Sequence, residues 1–457
     1  MQLERFEAKG LAHYSYIVAS EGQAVVVDPE RNIDVYQRYL ESQRLQLAAV
    51  LETHIHADYA SGAPALAAAT GARLLLSAYD KGEDFAYAFP HEELHDHEEI
   101  SVGGLRIAAY HTPGHTPEHL SFLIYEKSRC GQPLALFSGD LVFSGSLGRP
   151  DLLGEAAKRR LASELYRSVH QRIESLPDGL LVYPAHGAGS LCGANLSDRP
   201  YTTLGYERFC NIFLVDKPEA EFVEQILATV PEFPDYYRRM KALNSQGAAP
   251  LPVLPGNAKL TTKDFTDDLQ VVDLRRPEAF AGAHIPGAIN IGAGPSFGLW
   301  APWVLDPARP IALVGDDPNA ITEARRALVR VGLDDIRGAL DGGFGAWLQS
   351  GRAFATTKLQ PAREWPDPKN KAQIVIDVRS PAEFNANHLP GAINIPAGDI
   401  PKRAAEFQGR EEIAVICGSG YRSSIAASIL QNAGVQNVIN LAGGMGSRPA
   451  GTPCSLR

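Results

Sequence analysis

The sequence predicts a multidomain chain of mixed α/β and α+β class, in which one metal-binding domain is followed by two copies of a smaller α/β domain. Its 457 residues suffice for about three domains at roughly 150 residues each, every one able to bury its own core. The segment Thr53-His54-Ile55-His56-Ala57-Asp58-Tyr59 gathers imidazole and carboxylate, the ligand set of zinc and iron, in a single stretch. Val271 to Ile291 returns as Val375 to Ile395 at an offset of 104, as from Asp273 to Asp377, which marks a duplicated unit.

Leu47-Ala48-Ala49-Val50-Leu51 is an apolar run of strand length and Pro64 to Ala69 is helix-like, so His54, His56 and Asp58 fall on a strand-to-helix loop. Such loops present catalytic groups from a rigid scaffold. Further histidines and acids follow in Thr112-Pro113-Gly114-His115-Thr116, Phe137-Ser138-Gly139-Asp140 and Tyr183-Pro184-Ala185-His186-Gly187. His111 ends the strand-like run Leu105 to Tyr110, and His119 follows His115 closely; each suits either a pocket wall or a structural role. His91, His95 and His97, inside the acidic segment Glu92 to Glu99, are expected at the surface. The first domain is expected over residues 1–244, closing with a helical tail between Ala220 and Ala242. Gln246 to Gly256 and Thr356 to Asn370 read as linkers, leaving the two copies at 257–355 and 371–457.

Later in the repeat, Ile311-Ala312-Leu313-Val314 matches Ile413-Ala414-Val415-Ile416, and Gly342-Gly343 matches Gly443-Gly444. In the second copy the strand-like run leads into Cys417-Gly418-Ser419-Gly420-Tyr421-Arg422 and then a helix-like segment. N–H groups converging at a helix start, with a guanidinium nearby, favour a thiolate. Cys417 is therefore a candidate nucleophile. The first copy has Gly315 at the cysteine and Ala320 at the arginine, with Asp316 and Asp317 between. No thiolate can form there, and the two carboxylates repel an anionic sulfur ligand, so this copy is expected to be inactive and kept for packing or partner contact. Gly443 to Arg448 departs from Gly342 to Trp347, which puts the last helix of the second copy in question.

A formal charge of −10 argues against nucleic acid or an anionic membrane as partner. Lys158-Arg159-Arg160 and Arg325-Arg326 read as solvated helix faces. The start, Met1 to Ile17, is interrupted by Glu4, Arg5, Glu7, Lys9 and His13, so neither signal peptide nor membrane span is expected and the compartment read is the cytoplasm. Five cysteines without framework spacing fit a reducing environment. Cys130, Cys210 and Cys454 read as structural. Cys192 lies six residues after His186 in a glycine-rich loop, either as a packed thiol or as a sulfur that holds or relays a persulfide at the pocket mouth.

The histidine and aspartate motifs resemble the metallo-β-lactamase superfamily, whose two-metal hydrolases usually continue His-x-His-x-Asp-His. Here Tyr59 takes the last position. A phenol with a pKa near ~10 is a poor substitute for imidazole, so a crippled second metal site is expected. Each repeat copy resembles a rhodanese domain. Along its whole length the chain resembles the bacterial multidomain persulfide dioxygenase-sulfurtransferases: a metallo-β-lactamase αββα sandwich followed by a degenerate and an intact α/β rhodanese-like domain. That resemblance implies that His54, His115 and Asp140 bind one Fe(II) per chain, with zinc as a substitute, and leave positions open for dioxygen and a thiolate-type substrate. It implies that His56, Asp58, Tyr59 and His186 support the ligands or substrate. Arg149, in Gly148-Arg149-Pro150-Asp151, matches a substrate-side position but serves equally well in a structural salt bridge. The implied reaction converts a low-molecular-weight thiol persulfide and O2 to sulfite and thiol, as in sulfide detoxification. Cys417, with Arg422 beside it and Gly418, Ser419, Gly420 and Tyr421 cradling the persulfide, would pass sulfane sulfur to sulfite and make thiosulfate. The loop is one residue shorter than in related phosphatases, which favours sulfur over phosphoryl chemistry. Two rivals stand beside this: a glyoxalase II-like two-metal thioester hydrolase, and a non-enzymatic sulfur-carrier or sensing scaffold. The carrier thiol and any homo-oligomer are left open.

Overall fold

The computed structural model describes residues 1–128, 131–251, 253–365, 374–410 and 412–448; Cys130 and Cys454 lie outside them. The chain divides into two compact units, Met1–Pro252 with Val329–Gly332, and Val253–Leu328 with Leu333–Arg457.

The first unit is built on two six-stranded sheets. One runs in chain order: Gln2–Ala8, His13–Ser20, Gln23–Val27, Gln46–Leu51, Arg73–Ser77 and Glu92–Leu94. The other is ordered Thr202–Thr203, Leu181–Pro184, Ala135–Gly139, Leu120–Glu126, Leu105–His111 and Glu99–Val102. Side-chain alternation decides the layers. In strand Leu120–Glu126, Leu120, Phe122 and Ile124 join Tyr16, Val18, Val25 and Leu51 in the core between the sheets. Leu123 faces the other way, onto a second core with Leu165, Phe222 and Ile226 from helices Glu155–Arg167 and Glu219–Thr229. Helices Asp34–Gln43 and Ala63–Thr70 cover the outer face of the first sheet through Tyr36, Leu40 and Leu66. The result is the expected αββα sandwich.

The second unit holds two five-stranded parallel sheets of identical order. In the first copy this is Lys259–Leu260, Ile336–Leu340, Ile311–Val314, Gln270–Asp273 and Ile289–Asn290, and in the second Lys358–Pro361, Val438–Ala442, Ile413–Ile416, Ile374–Asp377 and Ile393–Asn394. Residues 358–361, expected in a linker, are thus the edge strand of the second copy. The expected last helix exists in the first copy as Gly343–Gln349 but shrinks to the single turn Met445–Ser447 in the second, where Arg448 donates instead to the carbonyls of Ala362 and Trp365.

The copies share hydrogen bonds along helix Tyr421–Asn432. Ser424 Oγ donates to Asn290 Oδ1 at 2.6 Å, the Asn290 N–H donates to Ser428 Oγ at 3.1 Å, and Tyr421 OH donates to the Gly292 carbonyl at 2.8 Å. This helix is buried from Ser423 to Leu430 because its own sheet and the first copy both cover it. The first copy thus packs against the helix that carries the second copy's loop. Arg325 departs from expectation: it is buried, and its guanidinium donates to the carbonyls of Pro255 and Leu254. Among the described residues no helix is long and apolar enough to cross a membrane.

Candidate functional site

Strand ends collect the candidate ligands at one edge of the sandwich. Asp28 follows strand Gln23–Val27, the His54 to Asp58 loop follows Gln46–Leu51, Asp140 follows Ala135–Gly139 and His186 follows Leu181–Pro184. Gln23–Val27 pairs in parallel with Gln46–Leu51, and Ala135–Gly139 with Leu181–Pro184, so within each sheet these ends point the same way. The His54 loop is pinned from behind by helix Tyr236–Gln246. Lys241 Nζ donates to the Ile55 carbonyl at 2.8 Å, and Asn244 Nδ2 donates to the carbonyls of His56 and Tyr59 at 2.8 and 2.7 Å.

His54, His115 and Asp140 converge with their ligand atoms within 4.8 Å of one another, all buried. Their neighbours fix the tautomers. Thr53 Oγ1 donates to Asp28 Oδ2 at 2.9 Å, so its contact with His54 Nδ1 at 2.9 Å must be received from an Nδ1–H. His115 Nδ1 is 2.8 Å from the Arg149 carbonyl, which can only accept. Both Nε2 atoms therefore carry lone pairs. His115 Nε2 lies 3.2 Å and His54 Nε2 3.9 Å from Asp140 Oδ2, and among the described residues neither His115 Nε2 nor Asp140 Oδ2 makes a hydrogen bond. Burial, followed by neighbouring imidazoles, pushes both histidines well below their ordinary pKa, so neither supplies the missing proton. Three buried electron-pair donors face one another without a hydrogen between them, which a metal cation would resolve.

Asp140 is held on two sides. His186 Nδ1 meets its Oδ1 at 2.7 Å, and its backbone N–H donates to His119 Nε2 at 3.1 Å. His119 thereby belongs to the site's support, with burial holding its pKa at about 3. Gly139 has φ +53°, and a Cβ there would lie 2.5 Å from His119 Nε2 and 2.7 Å from Thr53 Cβ, so the glycine lets Asp140 approach both. His111, stacked on Tyr79 and bonded to the Pro117 carbonyl, is structural.

Beside this triad lies a second cluster of buried imidazoles and carboxylates. His56 Nε2 is 3.1 Å from Asp28 Oδ1, and His186 Nε2 is 2.9 Å from Asp58 Oδ2. With its other nitrogen on Asp140, His186 bridges two carboxylates, and these outweigh burial to raise its pKa well above the ordinary value. Tyr59 OH donates to the Asp28 carbonyl at 3.2 Å, and burial first, then Asp28, keeps it a neutral phenol. Its ring lies tilted against that of His13, with centroids 3.9 Å apart. Cys192 comes within 4.8 Å of the ligand atoms of Asp58 and His186. It is buried in the wall instead of standing at a mouth, and burial raises its thiol well above the usual range. Arg149 is buried with every N–H engaged, on both Asp151 oxygens and the carbonyls of Leu191, Pro231 and Glu232. That is the salt-bridge alternative, and it leaves no donor for a substrate. Cys210 is exposed, against the structural place expected of it.

The second site is the loop between strand Ile413–Ile416 and helix Tyr421–Asn432. Cys417 Sγ accepts the Gly420 N–H at 3.1 Å and lies 3.4 Å from Ser423 Oγ, which donates to Asn440 Oδ1 at 2.6 Å. Gly420 has φ +105°, a backbone that aims its N–H at sulfur and that side-chain-bearing residues resist. Gly418 and Ser419 complete the turn. Arg422 does not touch the sulfur by hydrogen bond; both of its terminal nitrogens donate to Glu383 at 2.7 Å. In the first copy helix Pro318–Arg330 begins earlier, with Pro318 at the position of Gly420.

Asp28, Thr53, Lys241, Asn244 and Glu383 were not singled out by the sequence, whereas His119 was left between a pocket wall and a structural role. Thr53 adjoins the histidine motif and Asp28 ends an apolar run much as Asp140 does, so both carried a local signal; the others did not.

A family model of the metallo-beta-lactamase superfamily matches residues 8–186, and one of the rhodanese-like domain matches residues 258–350 and 362–447. The hydroxyacylglutathione hydrolase of Francisella tularensis subsp. novicida (strain U112) is 28% identical over 235 residues, 49% of this chain and 84% of that protein. The crystal structure of a metallo-beta-lactamase from Staphylococcus aureus subsp. aureus COL is 33% identical with a TM-score of 0.68, covering 74% of this chain and 98% of that one. The crystal structure of ETHE1 from Myxococcus xanthus is 26% identical with a TM-score of 0.45, covering 54% of this chain and 98% of that one.

Proposed function

Because the chain belongs to the metallo-β-lactamase superfamily and carries two rhodanese-like domains behind that fold, we propose that it is an iron-dependent persulfide dioxygenase joined to a sulfurtransferase. The observation that carries a metal is the proton-free convergence of His54 Nε2, His115 Nε2 and Asp140 Oδ2. Two imidazoles and one carboxylate fit Fe(II). Bound there, ferrous iron would supply the redox chemistry that joins dioxygen to the terminal sulfur of a thiol persulfide, which with the addition of one water gives sulfite and thiol. The protein's own part is positioning. Thr53 and the Arg149 carbonyl fix the histidine tautomers, His119 and His186 hold Asp140, and burial keeps bulk water away.

The hydrolase reading rests on the hydroxyacylglutathione hydrolase relative and would need a second metal and a bridging hydroxide. Tyr59 as a neutral donor and His186 committed to two carboxylates speak against it. Metal analysis after anaerobic purification separates the two: about one iron per chain is expected of the dioxygenase and near two metals of the hydrolase. Oxygen uptake with thiol persulfides should accompany the iron. Two metals per chain and thioester hydrolysis without oxygen uptake would reverse the proposal.

At the second site Cys417 thiolate attacks the sulfane sulfur of thiosulfate. The S–S bond of thiosulfate breaks, sulfite leaves with its electron pair, and a cysteine persulfide forms. Sulfite or cyanide then attacks the outer sulfur, returning the thiolate and forming thiosulfate or thiocyanate. The Gly420 N–H and Ser423 Oγ stand by the sulfur throughout.

The first copy tests this geometry. In a Cys417→Ser background, Gly315→Cys with Ala320→Arg restores nucleophile and guanidinium, and Asp316→Asn with Asp317→Asn removes the opposing charge. Proline has no N–H, so Pro318 still withholds the donor that Gly420 supplies. Transfer to cyanide should stay at least ~100-fold below wild type, the scale of one lost anion-stabilising donor, and rise when Pro318→Gly is added. Robust transfer with Pro318 in place would show that the backbone donor is dispensable.

A further inference from the structure

The two rhodanese-like copies keep the same scaffold contacts. Asp273 pairs with Arg275 at 2.6 Å and Asp377 with Arg379 at 2.7 Å. Phe280 stacks on His284 with centroids 3.8 Å apart, and Phe384 on His388 at 3.9 Å. Asn290 and Asn394 each donate to the two carbonyls of their own copy's Asp and Arg. Three positions differ together within this constant frame. Cys417, Arg422 and Glu383 stand where the first copy has Gly315, Ala320 and Ala279. The carboxylate is absent where the cysteine and arginine are absent, while the scaffold pairs persist, which ties it to the loop's chemistry more than to the fold.

We infer that Glu383 is a positioning residue for sulfur transfer, clamping the Arg422 guanidinium beside the Cys417 loop; this rests on the reading of Cys417 as the sulfur acceptor. The clamp is bidentate, with Arg422 Nη1 and Nη2 each 2.7 Å from a separate Glu383 oxygen, the geometry that fixes a guanidinium in direction as well as place. Arg422 in turn holds the Glu383 carboxyl at about 2, so the pair is ionised at any working pH. The loop makes room for it: a Cβ on Gly418 would lie 3.4 Å from Arg422 Nη2. Glu383 also closes a capping box with Ser380 at the start of helix Pro381–Ala386, and any test must separate that structural duty from the clamp.

Glu383→Gln does so, because glutamine also serves at this position of a capping box while the charge of the clamp is lost. If Glu383 positions Arg422, alkylation of Cys417 by iodoacetamide at neutral pH should slow about tenfold, the scale of one charge-assisted hydrogen bond. Cys417 is buried, so the rate also reads access through the loop; removing a negative charge would by itself favour the thiolate and speed the reaction, and slowing in Glu383→Gln but not in Ser380→Ala therefore marks lost positioning. Arg422→Gln should slow alkylation at least as much, and the double variant no further than Arg422→Gln alone. Sulfur transfer from thiosulfate to cyanide should follow the same non-additive pattern. Ser380→Ala, which removes only the cap, should leave both near wild type. Unchanged or faster alkylation in folded Glu383→Gln, additive losses, or an equal loss in Ser380→Ala would overturn the clamp. If the wild-type protein carries no sulfur from thiosulfate to cyanide, the sulfur-acceptor reading falls and the alkylation pattern alone decides whether the clamp exists.

Discussion

Asp140→Ala should leave the protein without its metal and without oxygen uptake. The substitution removes the only carboxylate among the three converging donors and leaves two neutral imidazoles, so iron measured after anaerobic purification should fall to background and oxygen consumption with it. His54→Ala and His115→Ala each remove one of the other two donors and should do the same. Asp140→Ala also strips His186 of one of its two carboxylate partners, which exposes a buried donor to an unfilled pocket. Asp140→Asn is therefore the companion variant: it keeps an oxygen for His186 and the shape of the side chain but not the anionic ligand. Sulfur transfer from thiosulfate should survive in all of these variants, since Cys417 belongs to the other compact unit. Replacing His119, which only orients Asp140, should cost far less, about 10–100-fold. Normal oxygen uptake by folded Asp140→Ala would remove the metal assignment.

The candidate ligands were legible because each sits in a short local motif close behind an apolar strand, and strand ends on one edge of a sandwich meet by topology. Their supports were not. His119 is a support only because its Nε2 receives the Asp140 N–H, and Lys241 and Asn244 reach the His54 loop from more than 180 positions away; no spacing rule encodes such contacts. The strand Lys358–Pro361 was hidden for a related reason. Its pairing with Val438–Ala442 is parallel and distant in sequence, and Pro361 at its end suggests a linker, although an edge strand tolerates proline. Glu383 is the opposite case. Setting the two copies side by side exposes Glu383 against Ala279, so the signal was present in the repeat and became meaningful once Arg422 was found on it. Arg149 shows where local context misleads: its place after Asp140 suits a substrate ligand, yet Asp151 and three carbonyls saturate it.

Cys417→Ser should abolish sulfur transfer and shift the products of persulfide oxidation from thiosulfate toward sulfite. A serine hydroxyl cannot store sulfane sulfur as a persulfide, and the Gly420 N–H and Ser423 hydroxyl that stand by the sulfur have no nucleophile to serve. Thiocyanate formation from thiosulfate should drop to background. Oxygen uptake should persist, because His54, His115 and Asp140 lie in the other unit and share no residue with the loop. Sulfite should then accumulate where the wild-type protein makes thiosulfate, after correction for the spontaneous reaction of sulfite with persulfide. Unchanged thiosulfate would take Cys417 out of the mechanism and move attention to Cys192. Both thiols are buried, but Cys192 is poorly placed to stand in: desolvation, with the charges of Asp58 and Asp140 adding to it, holds it protonated, whereas Cys417 accepts the Gly420 N–H. The variant Cys192→Ala should accordingly leave thiocyanate formation intact, and a Cys192→Ala protein that lost it while Cys417→Ser kept it would exchange the roles of the two cysteines.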